Sequence, residues 1–273
     1  MAVTMADIQR LRKMTGAGMM DCKSALDEAK GDFDKSIEII RKKGQAVAAK
    51  REDREASEGC VLAKTEKGHG VVVALQCETD FVAKNAEFIA LTEQILDIAL
   101  NNKPKTREEL LALPMEDSTV AEKITDRIGT TGEKMELGYY EYITAPTVVQ
   151  YIHPGNKLAT IIGFNKEEVD AEVAKDVAMQ VAAMNPLAVT SDQISEEVKE
   201  KEMDIARDKA REAGRPEHIL DRIAEGSLQK FFKDNTLLQQ EYVKDNKLSI
   251  EEYMKQNDKE LTVTDFKRVS LNA

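Results

Sequence analysis

Residues 77–84 read Cys77-Glu78-Thr79-Asp80-Phe81-Val82-Ala83-Lys84 and join an apolar run to a helical pattern. The run at residues 71–75 predicts a buried strand, and the pattern from Asn85 predicts a helix. An acid beside a bulky aromatic is unusual at such a junction, because a carboxylate prefers water and a phenyl ring avoids it. Two interpretations follow. Phe81 packs on its own core while Asp80 helps to start the helix, or both side chains are presented to a partner.

Outward from this stretch, a hairpin followed by a helix occurs twice. Residues 59–64 and 70–78 predict two strands joined by a polar turn. Later, residues 134–143 and 147–152 are strand-like, Pro154-Gly155 fits a tight turn, and a helix ends before Pro186. The repetition predicts an α+β fold with two related halves.

The first 54 residues predict a compact bundle of three short helices. Gly16 and Gly18 separate the first helix from the second, and the third is expected to end before Gly44. The pair Met19-Met20 has two open interpretations, because adjacent methionines cannot both face one core. One is an exposed, adaptable contact, and the other is a loose edge of the core.

Residues 191–228 predict a projecting antiparallel helical hairpin, with Gly214 ending one helix and Pro216 starting the next. Its apolar seam is too sparse for a domain core, so the hairpin leans on the body or pairs with another copy. An earlier helix is expected to end at Ile128-Gly129, and residues 261–271 predict a final strand. The resulting division is 1–54, 55–133, 134–190 with 229–273, and the inserted hairpin 191–228.

Composition narrows the function classes. Residues 1–54 hold twelve Lys or Arg against nine Asp or Glu, a net charge of +3, whereas the remainder holds 27 against 41, a net charge of −14. This balance disfavours nucleic acid as a direct partner over most of the molecule. The sequence has no apolar run long enough to span a membrane and no export signal at its start, so we expect a cytoplasmic protein.

The sequence offers no convincing catalytic or metal-binding constellation. It has no phosphate-binding glycine loop and no nucleophile elbow. Its three cysteines and three histidines are scattered rather than set at metal-ligand spacing. They are Cys22, Cys60, Cys77, His69, His153 and His218. We therefore expect no enzyme activity, no cofactor and no bound metal.

Two segments resemble the elongation factor Ts family, the guanine-nucleotide exchange factors of the translation GTPase elongation factor Tu. One is Leu11-Arg12-x-x-Thr15-Gly16-Ala17-Gly18-Met19-Met20-Asp21-Cys22-Lys23, and the other is Glu78-Thr79-Asp80-Phe81-Val82-Ala83-Lys84. The resemblance implies a ubiquitin-associated-like domain of three helices, a two-part α+β core and an inserted antiparallel helical hairpin. Some family members continue into a C-terminal helical module, which we expect to be absent or vestigial because the sequence ends at Ala273.

The same resemblance implies site residues. Thr79, Asp80, Phe81 and Val82 fall on the family positions that intrude into the partner and dislocate its Mg²⁺. Arg12, Met19 and Met20 fall on positions that contact the partner's nucleotide-binding domain. Shorter matches add Ile128, Gly129 and His153 as partner contacts.

The expected function is therefore to bind elongation factor Tu, both GDP-bound and nucleotide-free, and to promote GDP release. The alternative is a non-exchanging adaptor, with the N-terminal bundle as its docking unit and the helical hairpin as a homodimerisation arm. We expect no membrane contact in either case.

Overall fold

The structure is a computed structural model, and it describes residues 3–271. The ends of the predicted segments 1–54 and 229–273 thus fall partly outside the described residues. Residues 3–62, 73–140 and 271 form one compact unit, whereas Ala63–Val72 and Glu141–Ser270 form the other. The finer division into four parts stays a prediction.

The first half of the chain contains seven helices and five strands within the described residues. The helices are α1 (Met5–Thr15), α2 (Met19–Glu28), α3 (Phe33–Lys50), α4 (Asp80–Ala83), α5 (Ala86–Asn102), α6 (Arg107–Ala112) and α7 (Val120–Thr131). The strands are β1 (Glu58–Glu66), β2 (His69–Cys77), β3 (Pro114–Met115), β4 (Ser118–Thr119) and β5 (Met135–Thr144).

The N-terminal helices enclose a small core of their own. Ile8 and Leu11 of α1 pack with Cys22 and Leu26 of α2, and apolar side chains of α3 cover them. Thr4 caps α1 with a reciprocal capping box, and Gly16 ends that helix with φ 69°.

Two glycines that were predicted to end helices lie inside them, so both of those predictions are wrong. Helix α3 continues through Gly44 to Lys50, and α7 continues through Gly129 to Thr131. A Cβ built on Gly129 would lie 2.6 Å from the Cα of Gly44, so the two helix backbones approach each other closely at these residues. Helix α7 ends instead at Gly132, whose φ is 73°.

The predicted first hairpin is confirmed. Its two-residue turn consists of Lys67 and Gly68, which both have positive φ, as a hairpin turn of type I′ requires. The strands form a three-stranded sheet in the order β1-β2-β5. Strand β5 thus pairs with β2, although the predicted division groups it with the strands that follow.

The second half of the chain contains the predicted second hairpin and its helix. The elements are β6 (Thr147–Ile152), β7 (Leu158–Phe164), α8 (Ala171–Met184), α9 (Glu196–Glu212), α10 (Leu220–Asn235), β8 (Glu241–Tyr242), β9 (Asp245–Ser249), α11 (Ile250–Asn257) and β10 (Val263–Ser270). Strand β7 lies centrally in an antiparallel sheet of order β10-β7-β6, with Val149 opposite Ile162 and Phe266 opposite Ile162 on the other side.

One large core fills the second unit. Val173, Val177 and Val181 of α8 pack on Ile162 and Phe164 of β7. Ala174, Ala178 and Ala182 form a second buried row beside these valines, and their small side chains let α8 lie close to the sheet. The combination of a helical bundle and small sheets confirms the α+β class.

The predicted antiparallel helical hairpin is formed by α9 and α10. Small buried side chains line its seam, namely Ala206 and Ala210 on α9 and Ala224 on α10. The chain segments that enter and leave the hairpin lie side by side. Leu187 N donates to Asn235 O at 2.8 Å, and Leu237 N donates to Ala188 O at 2.9 Å.

Candidate functional site

The segment that follows β2 is a short, well-capped helix. The Thr79 hydroxyl caps α4 by accepting from Val82 N at 3.4 Å, and Asp80 is the first residue of the helix. Ala83 points into the protein and is buried, whereas Phe81 is 84 % exposed. Of the two interpretations of Phe81, packing on its own core is therefore wrong. The structure leaves this ring uncovered by the rest of the described chain.

Glu133 holds the start of α4 in place. Its carboxylate accepts from Thr79 N at 3.0 Å and from the Thr79 hydroxyl at 2.7 Å. Glu133 lies two residues beyond the end of α7, so the segment after one helix anchors the start of another. Sequence reasoning missed this residue because the contact spans 54 positions.

Glu78 is tied down from a second direction. Arg51 Nη1 donates to both carboxylate oxygens of Glu78, at 3.2 and 3.3 Å, and Lys134 N donates to one of them at 2.7 Å. Charge-assisted hydrogen bonds of this kind are stronger than neutral ones. Glu78 is thus an anchor rather than an exposed acid, and the residues that follow it are presented from a rigid base.

Asp80 forms an ion pair with the residue that follows its helix. Lys84 Nζ donates to Asp80 Oδ2 at 2.6 Å, and this hydrogen bond raises the pKa of Lys84. Both side chains are well exposed, so the pair adds little to stability. The two residues are four positions apart, and the sequence alone could have predicted the pair because residues at this spacing lie side by side on a helix. A partner can therefore displace Lys84 from Asp80 at little cost.

The predicted N-terminal contacts lie on the surface. Arg12 is exposed, Met19 is 41 % exposed and Met20 is 74 % exposed. The core of the bundle takes Leu11 and Cys22 instead, which leaves both methionines at the start of α2 turned outward. Both side chains are thus exposed, as the first interpretation requires, and their role as a contact stays a prediction.

The C-terminal end of α7 adjoins both signature segments. A Cβ on Gly16, in the connection from α1 to α2, would lie 3.8 Å from the Thr130 methyl group. Three residues further on, Glu133 holds Thr79. Ile128 is buried and Gly129 packs against Gly44, so neither presents a free side chain to the surface.

His153 lies in the second unit at the turn between β6 and β7. Its backbone N donates to Leu158 O at 2.8 Å, which closes the turn. The imidazole is exposed, with Nδ1 3.0 Å from the hydroxyl of Tyr151. The side chain therefore protrudes at this corner, as the Pro-Gly turn predicts.

The cysteine thiols are poorly suited to act as nucleophiles or metal ligands, because those roles need an accessible thiolate. Cys22, Cys60 and Cys77 are buried. Burial raises the pKa of Cys77 to about 12 and also raises the pKa of Cys22. Within residues 3–271, no cluster of three or more His, Cys, Asp or Glu has the arrangement to hold a metal ion. In the same range, no helix is both long and apolar enough to cross a membrane.

Comparisons with known proteins agree on one family. A sequence model described as elongation factor TS matches residues 78–273. A Porphyromonas gingivalis protein named elongation factor Ts is 62 % identical over 274 residues, which cover 100 % of both chains. Proteins of the same name from Azobacteroides pseudotrichonymphae and Bacteroides fragilis are 55 % and 49 % identical. These two alignments cover 100 % of this chain and 99 % and 100 % of the relatives.

Proposed function

Because this chain belongs to the elongation factor Ts family, it is a translation elongation factor, and we propose that it binds the GTPase elongation factor Tu and promotes GDP release. The observation that carries the proposal is the exposed Phe81 ring beside Asp80 on a short helix anchored by Glu78 and Glu133. An apolar ring held in water by a rigid base is suited to insertion into a partner.

The mechanism needs no bond chemistry in this chain. GDP on such a GTPase is held by a phosphate loop and a Mg²⁺ ion, which demands near-octahedral geometry. Phe81 would wedge between helices of the partner and shift the groups that support the ion. Asp80, released from Lys84, would perturb the polar network around it. Thr79 and Val82 flank the two residues and shape the same intruding segment.

Binding energy drives the exchange. A surface that binds the empty GTPase better than the loaded one weakens nucleotide binding by the same factor. A ten-thousandfold effect needs about 5.5 kcal/mol of differential affinity, which is more than two side chains supply. Arg12, Met19 and Met20 would add docking area from the N-terminal bundle, and His153 from the turn of the second unit.

Ile128 and Gly129 would not insert a side chain into the partner. Since Ile128 is buried and Gly129 packs on Gly44, the partner would meet the exposed edge of α7 around them rather than an inserted side chain. The protein would act in the cytoplasm on both the GDP-bound and the nucleotide-free partner. It would need no cofactor, nucleic acid or membrane.

Stopped-flow release of a fluorescent GDP analogue from elongation factor Tu tests the proposal. We expect Phe81→Ala to slow catalysed release by about tenfold or more, a loss of about 1.4 kcal/mol, because truncating a central apolar anchor removes its contacts. Asp80→Ala is expected to act in the same direction. Both variants should lose less in affinity for the GTPase than in release rate.

Leu187→Ala is the matched control, because Leu187 is another exposed large apolar side chain but is not one of the residues proposed to contact the partner. It should leave the release rate unchanged. If the unaltered protein binds the GTPase without accelerating GDP release, the exchange proposal fails and the adaptor alternative stands. An adaptor that dimerises through α9 and α10 would then be expected to run as a dimer in sedimentation.

A further inference from the structure

The thioethers that solvent can reach are concentrated in two helices. Of the exposed methionines among the described residues, Met5 and Met14 lie on α1, and Met19 and Met20 lie on α2. The remaining one, Met184, lies at the end of α8. By contrast, Met115, Met135 and Met254 are buried. An oxidant in solution would therefore find four of the five exposed thioethers of the described residues on the N-terminal bundle.

The thiols do not compete for that oxidant. Oxidation of cysteine follows thiolate character and access to solvent. All three cysteines are buried, and the raised pKa values of Cys22 and Cys77 keep those two thiols protonated at neutral pH. The redox-sensitive side chains of this chain are thus thioethers.

We propose that Met19 and Met20 are sites of reversible oxidation to methionine sulfoxide, and that this modification weakens docking to the GTPase. The inference rests on the proposed function, because it takes these two side chains as part of the docking surface. It adds a means by which peroxide would slow nucleotide exchange without acting on the exchange segment at Asp80 and Phe81.

The chemical step balances with a peroxide as oxidant. The sulfur lone pair attacks one peroxide oxygen, an S–O bond forms, and the O–O bond breaks with release of hydroxide. The proton on the transferred oxygen passes to this hydroxide and gives water. The sulfur loses two electrons, and hydrogen peroxide is reduced to one molecule of water. Methionine sulfoxide reductases of the two epimer specificities reverse the step, which makes it a switch rather than damage.

The position of the two residues explains why binding would respond and folding would not. Oxidation converts a flexible apolar side chain into a polar one, which opposes its burial against a partner. The bundle itself packs through Leu11, Cys22 and Leu26 beneath this surface. Both thioethers already face solvent, so the sulfoxide oxygen meets water rather than the core in the free protein.

The first measurement needs no partner. The full chain is treated with graded hydrogen peroxide, and peptide mass spectrometry follows the addition of one oxygen atom at each methionine. We expect Met20 and Met19 to be oxidised well before Met115 and Met254. Equal rates at exposed and buried methionines, or protection of Met19 and Met20, would overturn the proposal.

The second measurement titrates the protein into the GTPase loaded with a fluorescent GDP analogue and takes the concentration that gives half-maximal acceleration of release as the apparent affinity. Each protein is measured before and after it is oxidised and freed of peroxide, and is compared with its own untreated sample. We expect about a tenfold loss of affinity for the wild-type protein, in line with the apolar area of two side chains lost from an interface. The double variant Met19→Leu/Met20→Leu has no thioether at either position, so its treated and untreated samples should agree. Met184→Leu is the matched control, since Met184 is 44 % exposed against 41 % for Met19, and it should respond like the wild type.

Treatment with methionine sulfoxide reductases should restore the affinity of the oxidised wild-type protein for the GTPase. If the double variant loses as much affinity as the wild type, another methionine is responsible and the proposal is wrong. If oxidised Met19 and Met20 leave affinity unchanged, it is also wrong. Failure of the untreated protein to accelerate GDP release would instead count against the proposed function, so the two failures are distinguishable.

Discussion

Asp176 shows how a single buried carboxylate organises the second unit. It lies on α8, and it accepts hydrogen bonds from Lys244 Nζ at 2.6 Å, from the Tyr253 hydroxyl at 3.1 Å and from the Tyr242 hydroxyl. The rings of Tyr242 and Tyr253 stack with centroids 4.2 Å apart. One side chain thus joins α8 to the β8–β9 ribbon and to α11.

The pKa of Asp176 depends on two opposing effects, burial and hydrogen bonding. Burial alone would raise it, but the hydrogen bonds from Lys244, Tyr242 and Tyr253 together outweigh burial and hold the pKa below its ordinary value. A carboxyl group whose pKa is lower in the folded state stabilises the protein above its unfolded pKa of about 4. That stabilisation is lost as the pH falls through the folded pKa.

Asp176→Asn is therefore expected to lower the free energy of unfolding by about 3 kcal/mol at pH 7, because the buried donors lose their charged acceptor. The difference between the two proteins should stay constant from pH 7 to about pH 5 and shrink as the pH falls below about 4, because the unfolded wild-type chain then binds a proton that the folded carboxylate, with its lowered pKa, does not yet hold. Urea unfolding at several pH values measures both quantities.

Asp27→Asn, at an exposed position on α2, is the control and should change the unfolding free energy by less than about 0.5 kcal/mol. A difference between wild type and Asp176→Asn that stays constant down to pH 3 would mean that the charge of Asp176 carries none of the stabilisation.

At the scale of elements, the pairing of α3 with α7 depends on two glycines. Gly44 and Gly129 face each other where the helices approach, and their environments differ. An ideal Cβ on Gly129 lies 2.6 Å from the backbone of Gly44, whereas one on Gly44 lies 3.5 Å from the backbone of Gly129. The first is a clash with an atom that cannot move away on its own, and the second is an ordinary contact.

We expect Gly129→Ala to destabilise the protein by about 1–3 kcal/mol, because the helices must separate to admit the methyl group. Gly44→Ala should leave the free energy of unfolding unchanged or raise it by up to about 1 kcal/mol, since alanine has a higher propensity than glycine for a helix interior. Thermal unfolding of the two single variants measures the contrast, and equal losses in both would contradict this account of the crossing.

At the scale of the whole molecule, the α9–α10 hairpin is an insertion. The core of the second unit contains no residue from α9 or α10. The chain leaves and re-enters that unit at neighbouring points, where Ala188 pairs with Thr236. Ile194 and Phe232 form a separate small cluster with Ala188 at the base of the hairpin.

Replacing residues 197–229 by a short Gly-Ser linker should therefore leave the second unit folded. The base cluster and the backbone bonds at residues 187–189 remain, so we expect Tm to fall by no more than about 4 °C. Calorimetry measures this, with the full chain as reference. Loss of a cooperative transition would show that the hairpin is an integral part of the fold.

Much of the fold and part of the candidate site were accessible from local sequence. Helix caps such as Thr4 and Ser249, the Lys67-Gly68 turn and the order of strands and helices depend on residues a few positions apart. Gly44, Gly129 and Glu133 could not be interpreted that way. Each contacts a residue that is far away along the chain. The local sequence also does not distinguish a glycine that ends a helix from a glycine that lets two helices pack closely.

The sequence by itself determined the α+β class, the family and the segment that contains Asp80 and Phe81, because these depend on short-range pattern and ordered motifs. The tertiary structure decided that Phe81 stays uncovered rather than packing on its own core. It did so because Ala83 and the anchors at Glu78 and Glu133 orient α4, and those anchors come from parts of the chain that only folding brings together.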